Sequence, residues 1–297
     1  MEHVVTEEAA EPEQGDSADE QGSDKASVQV WTAANKNTAG NEPGLEPGIE
    51  RGIDKVAEES AVALVYNGLS HAVMMVSPHK LKEFAMGFSL TEGIISSLED
   101  VYDLQVTRTD LGDEVEITLS TQRFARLKDK RRSLTGRTGC GICGAESLQQ
   151  IRLPVTPLDS ELVVSHAAVQ RATRALDANQ PLQQLTGAVH GAAWCQPDGA
   201  IQFVCEDVGR HNALDKLIGR LFQEGMLGSP GFLLISSRAS YEIVQKAAMA
   251  KIAIVVAVSA PTTMALDVAH DAGITLVGFS RIGRHVVYTN SQRLSQA

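Results

Sequence analysis

The chain has 297 residues, 43% hydrophobic and only 4% aromatic, so its core is expected to be aliphatic and of the kind that parallel or mixed α/β sheets use. Its net charge of −11 lies wholly in residues 1–60, which hold 15 acids and 4 bases and leave 22 of each sign in the rest. A neutral body excludes general nucleic-acid binding, and no stretch approaches the roughly eighteen apolar residues of a membrane helix.

The first residues lack the basic start and apolar run of a signal peptide, so a cytoplasmic protein is expected. Residues 1–27 are acidic, rich in Gly, Ser and Gln, and read as a disordered extension. Residues 28–60 read as one short strand, Val28-Gln29-Val30-Trp31, and a linker over 35–54 marked by Glu-Pro-Gly turns. Structure proper begins near Ala61, where AVALVYNGL and HAVMMVS flank Asn67-Gly68, a strong hairpin signal. Apolar residues then fall at helical spacing over 81–90, with Gly93 placed as a C-cap, and Val115, Ile117 and Leu119 alternate as a half-buried strand. A basic helix follows, in which Arg123, Arg126, Lys128, Lys130, Arg131 and Arg132, with Arg137 beyond, face the single acid Asp129. Residues 61–155 form a small α+β domain whose exit is this helix and the loop carrying Cys140 and Cys143.

Residues 156–297 read as a second domain. An amphipathic helix over 165–176 precedes TGAVHGAAWC, where a lone His190 is more naturally a core residue than a ligand. In EDVGRHNALDKLIG, Glu206, Asp207, Arg210, His211 and Asp215 crowd around Gly209, more charge than a solvated face explains. The helix after them has its own stripe of Ala213, Leu214, Leu217, Ile218 and Leu221. The last third alternates strand and helix: strands at 232–235, 252–258 and 274–277, helices at 241–250 and 262–271. That rhythm predicts parallel strands with crossover helices, buried on both faces. Ligands of such sheets sit at the carboxyl ends of the strands, where helix N-termini offer free amides to anions. The loops at 236–238, 259–262 and 279–284 occupy those places and concentrate hydroxyls, glycine and arginine. Any one of them is explained by N-capping; together they argue for a phosphate-bearing ligand.

GRTGCGICG holds two thiols two residues apart in a glycine-rich backbone. In a reducing compartment such a pair is redox-active, metal-bound or nucleophilic. The basic run upstream favours thiolate over thiol. A solvated basic helix beside a zinc knuckle is the plainer alternative, although one Cys-x-x-Cys is half of a four-ligand site. Cys195 and Cys205 read as small apolar residues flanking strands.

VALVYNG, FAMGFSLTEGII, GRTGCGICG, TG..H.AAW, EDVGRHNALDK, SSRASYE..QKAA, SAPTT and TLVGFSRIGR occur here in one order, and in this the chain closely resembles the formate dehydrogenase accessory sulfurtransferase family, FdhD, over residues 28–297. The resemblance implies a sulfur carrier that accepts sulfur from a cysteine desulfurase as a persulfide. It passes that sulfur to the molybdenum centre of the bis-molybdopterin guanine dinucleotide cofactor, which is then inserted into formate dehydrogenase. By motif match, Cys140 would carry the persulfide, with Cys143 relaying or assisting. Phe279, Ser280, Arg281, Ile282, Gly283 and Arg284 would form the cofactor-binding segment, with Arg238 beside it. The resemblance also implies a homodimer and a C-terminal domain similar to cytidine deaminases, three layers around a mostly parallel sheet. Ser237 departs from the family's usual Gly before Arg238. Persulfide chemistry suits an accessible, mobile, low-pKa thiol, and Gly139, Gly141 and Gly144 supply the mobility.

Three competing readings carry different expectations. A zinc hydrolase of deaminase type needs His-x-Glu before its cysteine pair, yet here the order is reversed and Ala192 stands two after His190. A thioredoxin-like oxidoreductase needs its Cys-x-x-Cys at an early strand-to-helix junction. A cofactor-binding chaperone needs no sulfur chemistry at all.

Overall fold

The computed structural model describes residues 22–32, 48–134 and 156–296, so Arg137, Cys140 and Cys143 lie outside the described residues. The first strand, β1 (Ser23–Thr32), begins before residue 28 and runs antiparallel to β2 (Gly48–Ala57). The linker expected over 35–54 is thus strand from residue 48 onward. Its glycines obscure the pattern, and the hydrogen bonds that make it a strand come from a partner some twenty residues away.

Strands β3 (Ser60–Tyr66) and β4 (Leu69–Val76) form the expected hairpin, with Asn67 and Gly68 both at positive φ, as a tight two-residue turn demands. The chain continues through α1 (Leu81–Thr91), β5 (Val101–Thr109) and β6 (Gly112–Leu119), giving a sheet ordered β4-β3-β6-β5 in which β3 and β6 are parallel. Val115, Ile117 and Leu119 are buried at 1% exposure or less, so the alternation in the sequence reports the core face. The basic helix is α2 (Thr121–Leu134).

The second half comprises β7 (Val164–Ser165), α3 (His166–Ala175), α4 (Pro181–Thr186), β8 (His190–Cys195), β9 (Ile201–Asp207), α5 (Arg210–Gln223), β10 (Phe232–Ile235), α6 (Tyr241–Met249), β11 (Ile254–Ala257), α7 (Thr263–Asp271), β12 (Thr275–Arg281), β13 (Arg284–Val287) and β14 (Leu294–Ser295). Six of these strands form one sheet, ordered β13-β12-β11-β10-β8-β9. β10, β11 and β12 are parallel, while β8, β9 and β13 join through antiparallel pairs. The unbroken apolar runs FLLI and IVVA follow from burial on both faces. Phe232, Leu234, Ile254 and Val256 face Val169 and Ala172 of α3, and Leu233, Ile235, Val255 and Ala257 join α5, α6 and α7 on the other side.

The two halves share that second core, which extends from Val62, Leu64 and Phe84 to Leu276. Helix α1 meets α5 backbone to backbone: a Cβ on Gly87 would lie 1.8 Å from the Asp215 carbonyl oxygen, and one on Gly219 equally close to that of Glu83. Two buried ion pairs fasten the same junction. Lys216 Nζ sits 2.6 Å from Asp207, with both side chains fully buried, and also donates to the Ser77 carbonyl at 2.9 Å. Lys246 Nζ lies 2.9 Å from Asp215, whose other donor is the Thr91 hydroxyl. Such pairs hold only with further hydrogen bonds to their acids: Asp207 accepts from the Ser77 amide of the N-terminal half and from Gly209 and Asn212 of its own, and Asp215 from Thr91 of the N-terminal half.

Candidate functional site

β10, β11 and β12 end along one edge of the sheet, where antiparallel β8 begins and β9 ends. The three loops singled out in the sequence meet at this edge. Ser236 and Gly191 exchange hydrogen bonds of 3.0 and 2.9 Å. Ala239 bridges Pro261, donating to Ala260 O and accepting from the Thr262 amide, and the Phe279 amide donates to Ser259 O at 3.0 Å. Thr262 caps α7 through its side chain, as N-capping alone would have it. Ser237 is buried with its hydroxyl on the Arg238 carbonyl, while the Arg238 side chain is exposed.

Residues 279–284 are a β-hairpin rather than the expected loop. β12 runs on past the edge through a bulge between Gly278 and Arg281, and the chain turns at Ile282-Gly283 with Gly283 at φ 81°. The strand-forming residues on either side make this pairing available, and the glycine supplies the turn. Phe279 stands at φ 50°, a left-handed conformation that costs a bulky residue about 1–2 kcal/mol and that gathers at functional sites. Arg281 and Arg284 are direct cross-strand partners, both exposed. Like charges so opposed destabilise a sheet, and among the described residues neither is paired with a carboxylate. Phe279 and Ile282 add exposed apolar surface at 39% and 76%.

Ser280 is fully buried, with its Oγ 2.6 Å from Thr173 Oγ1, so its side chain anchors the hairpin. The Gly283 amide donates to Gln170 Oε1 at 2.7 Å, Gln170 Nε2 lies 3.0 Å from His285 Nδ1, and His285 Nε2 lies 2.8 Å from His166 Nδ1. Burial, then the neighbouring His166, lowers the His285 pKa. The sequence reading passed over these α3 residues, although their spacing at 166, 170 and 173 is itself a helical stripe.

The crowded charges of EDVGRHNALDK divide into two groups. Glu206 accepts from the Leu182 and Gln183 amides at 3.0 and 2.8 Å, capping α4, while Asp207 and Asp215 are the buried ion-pair acids. Arg210 and His211 remain at the rim beside Glu242, at 4.0 and 2.7 Å, and the hydrogen bond from His211, with the charge of Arg210, lowers the Glu242 pKa against the upward pull of burial. His190 is half-buried at the start of β8, its pKa lowered by burial and then by Arg210 and His211. Among the described residues no group of three His, Cys, Asp or Glu could hold a metal ion. Cys195 and Cys205 are fully buried, and burial pushes both thiols up.

The described part of α2 is mostly solvated around a buried Leu127. Arg123 docks it, 2.9 Å from Asp100 and bonded to Ser96. Burial by itself would raise the Asp100 pKa, but the Ser96 and Ser97 amides and Arg123 together bring it down to about 2.

Comparison with known proteins places this geometry in context. The FdhD/NarQ family pattern matches residues 57–295. A protein of Cupriavidus necator named sulfur carrier protein FdhD is 52% identical over 241 residues, covering 81% of this chain and 83% of its own. A crystal structure from Desulfotalea psychrophila, described as a formate dehydrogenase accessory protein, superposes with a TM-score of 0.68 at 24% identity, over 92% of this chain and all of its own. That likeness speaks for the fold, and the sequence match carries the assignment: this chain belongs to the FdhD/NarQ family.

Proposed function

We propose that the protein is a sulfur carrier that serves formate dehydrogenase. The Cys140 thiolate attacks the terminal sulfur of a cysteine desulfurase persulfide; the donor's S–S bond breaks, its cysteine leaves as thiolate, and Cys140 bears the new persulfide. The outer sulfur would then pass to the molybdenum centre of a bis-molybdopterin guanine dinucleotide cofactor held as substrate, with the Cys140 thiolate leaving and the reduced metal of that substrate supplying the two electrons that take sulfane sulfur to sulfide, before the cofactor is inserted into formate dehydrogenase. The observation that carries the reading is the hairpin at the sheet edge. It opposes Arg281 to Arg284, a costly arrangement that a phosphate relieves through charge-assisted pairs, and leaves Phe279 beside them as an apolar face for a base. Arg238 on the adjoining loop adds positive charge. Burial of Cys195 and Cys205 turns them away from thiolate chemistry, which leaves Cys140 and Cys143 for the carrier role. The relative named as a sulfur carrier supports the same assignment. A cytoplasmic homodimer is part of the proposal, and among the described residues no helix is long and apolar enough to cross a membrane.

Incubation with an active cysteine desulfurase and cysteine is expected to add one sulfur atom, removable by reductant, to the peptide containing Cys140. Absence of that adduct overturns the carrier reading. Normal sulfur loading of the cofactor by Cys140→Ala would favour a cofactor-binding chaperone instead. Arg281→Ala and Arg284→Ala are each expected to weaken GDP binding by about ten- to a hundredfold, the worth of one charge-assisted hydrogen bond. Unchanged affinity in both moves the nucleotide site elsewhere.

A further inference from the structure

His166, Gln170 and Thr173 lie on one side of α3, and each touches the 279–287 hairpin. We propose that they are positioning residues that hold the Arg281/Arg284 hairpin in its ligand-presenting place, and that the clamp is complete only while His166 and His285 are both neutral. The inference rests on the reading of this hairpin as the nucleotide-binding segment.

The argument is one of donors and acceptors. A backbone N–H can only donate, so the Gly283 amide fixes Oε1 of Gln170 toward itself and leaves Nε2 facing His285. That amide nitrogen donates to His285 Nδ1, so the neutral His285 ring carries its proton on Nε2. From there it donates to His166 Nδ1, and His166 keeps its own proton on Nε2. The two ring planes lie within 23° of parallel, which suits a hydrogen bond in the ring plane. Every link is therefore oriented.

A proton added to His285 Nδ1 sets two donors against each other. Gln170 cannot turn over to accept without placing its NH2 against the Gly283 N–H. A proton added to His166 Nδ1 opposes the His285 Nε2–H across 2.8 Å. His285 escapes only by moving its proton to Nδ1, which recreates the clash at Gln170. The titratable group facing His285 from α3 is His166, and its own hairpin brings the exposed cations Arg284 and Arg281. Burial, and after it His166, disfavours the charged ring. His285 thus titrates below its ordinary range in the clamp. The clamp is at full strength while the ring is neutral and weakens as pH falls and the ring takes up its proton.

The test is calorimetric GDP binding by the full chain from about pH 8 to about pH 5.5, with wild type and Gln170→Ala in parallel. The ratio of the two dissociation constants cancels the titration of the nucleotide's own terminal phosphate, whose pKa is near about 6. The expected ratio is about tenfold at high pH, the loss of the bridging hydrogen bonds, and falls toward one at low pH. A ratio near one throughout, or about tenfold throughout, overturns the proposal. In parallel, nitrogen NMR should find neutral His285 protonated on Nε2, and in Gln170→Glu, whose carboxylate can only accept, should find Nδ1 protonated as well. Wild-type His285 with its proton on Nδ1 overturns the clamp. If wild type binds no GDP at any pH, the nucleotide reading falls, and the histidine tautomer alone decides whether the clamp exists.

Discussion

Gly219→Ala tests the contact that joins the two halves of the molecule. An alanine Cβ there would stand 1.8 Å from the Glu83 carbonyl oxygen, where ordinary contact begins at 3.4 Å, and 2.8 Å from the Gly87 amide nitrogen. Both obstacles are backbone, so α1 and α5 must part by roughly 1.5 Å, and a gap of even about 0.5–1 Å forfeits a quarter to a half of a contact's attraction. Phe84 and Phe88 on α1 and Leu214, Leu217 and Ile218 on α5 are buried in the core they share. With each worth about 1.5–3 kcal/mol, losing roughly a quarter of that burial costs about 3 kcal/mol. Alanine returns about 1 kcal/mol through its better helix propensity, so the net destabilisation is about 2 kcal/mol. Urea unfolding should show a lower midpoint with an unchanged slope, while Gln223→Ala, on an exposed site of the same helix, stays within about 0.5 kcal/mol of wild type. A Gly219→Ala midpoint equal to or above wild type would refute the reasoning, because propensity would then have outweighed the overlap.

The buried pair behind that contact gives a second test. Asp215→Ala should cost about 3–5 kcal/mol by leaving the Lys246 ammonium buried without its acid, toward the lower end because Glu92 lies 3.6 Å away. Asp215→Leu with Lys246→Met should recover most of that loss in urea unfolding, and a double variant no better than the single would show that the pair is not the cause. Asp100 gives a pH dependence with a definite sign. Its folded pKa of about 2 lies below the ordinary 3.8, so the stability it contributes is complete above roughly pH 4 and is lost as pH falls toward 2. Arg123→Gln should raise that pKa in a carboxyl NMR titration and flatten the acid limb of the melting curve; an unmoved pKa would remove Arg123 from the account.

Local chemistry was legible where the chain makes its own partners. The Asn67-Gly68 turn, the Val115, Ile117 and Leu119 alternation and the α5 stripe all fell where residue types and periodicity placed them. Partners distant in sequence left weaker traces. β2 shows as a strand only once β1 lies beside it, and the role of the α3 stripe waits on the hairpin that packs against it. Glu206, Asp207 and Asp215 were visible as an excess of charge, but whether each caps a helix, pairs with a lysine or faces a ligand depends on which amide or ammonium the fold brings near. The candidate site divides in the same way: its arginines were named from the sequence, their opposition across a hairpin was not, and Cys140 and Cys143 lie outside the described residues.

By itself the sequence determined the family, the order of strands and helices from 232 to 277, and the burial of those strands on both faces, because periodicity and motif are properties of neighbours along the chain. Only the tertiary structure decided that α1 and α5 touch at glycine, that the acids around Gly209 serve mainly inside the protein, and that Arg281 and Arg284 confront each other on a clamped hairpin. Those outcomes depend on distances between residues far apart in sequence, where a carbonyl oxygen or an ammonium a few ångströms nearer reverses which arrangement is stable.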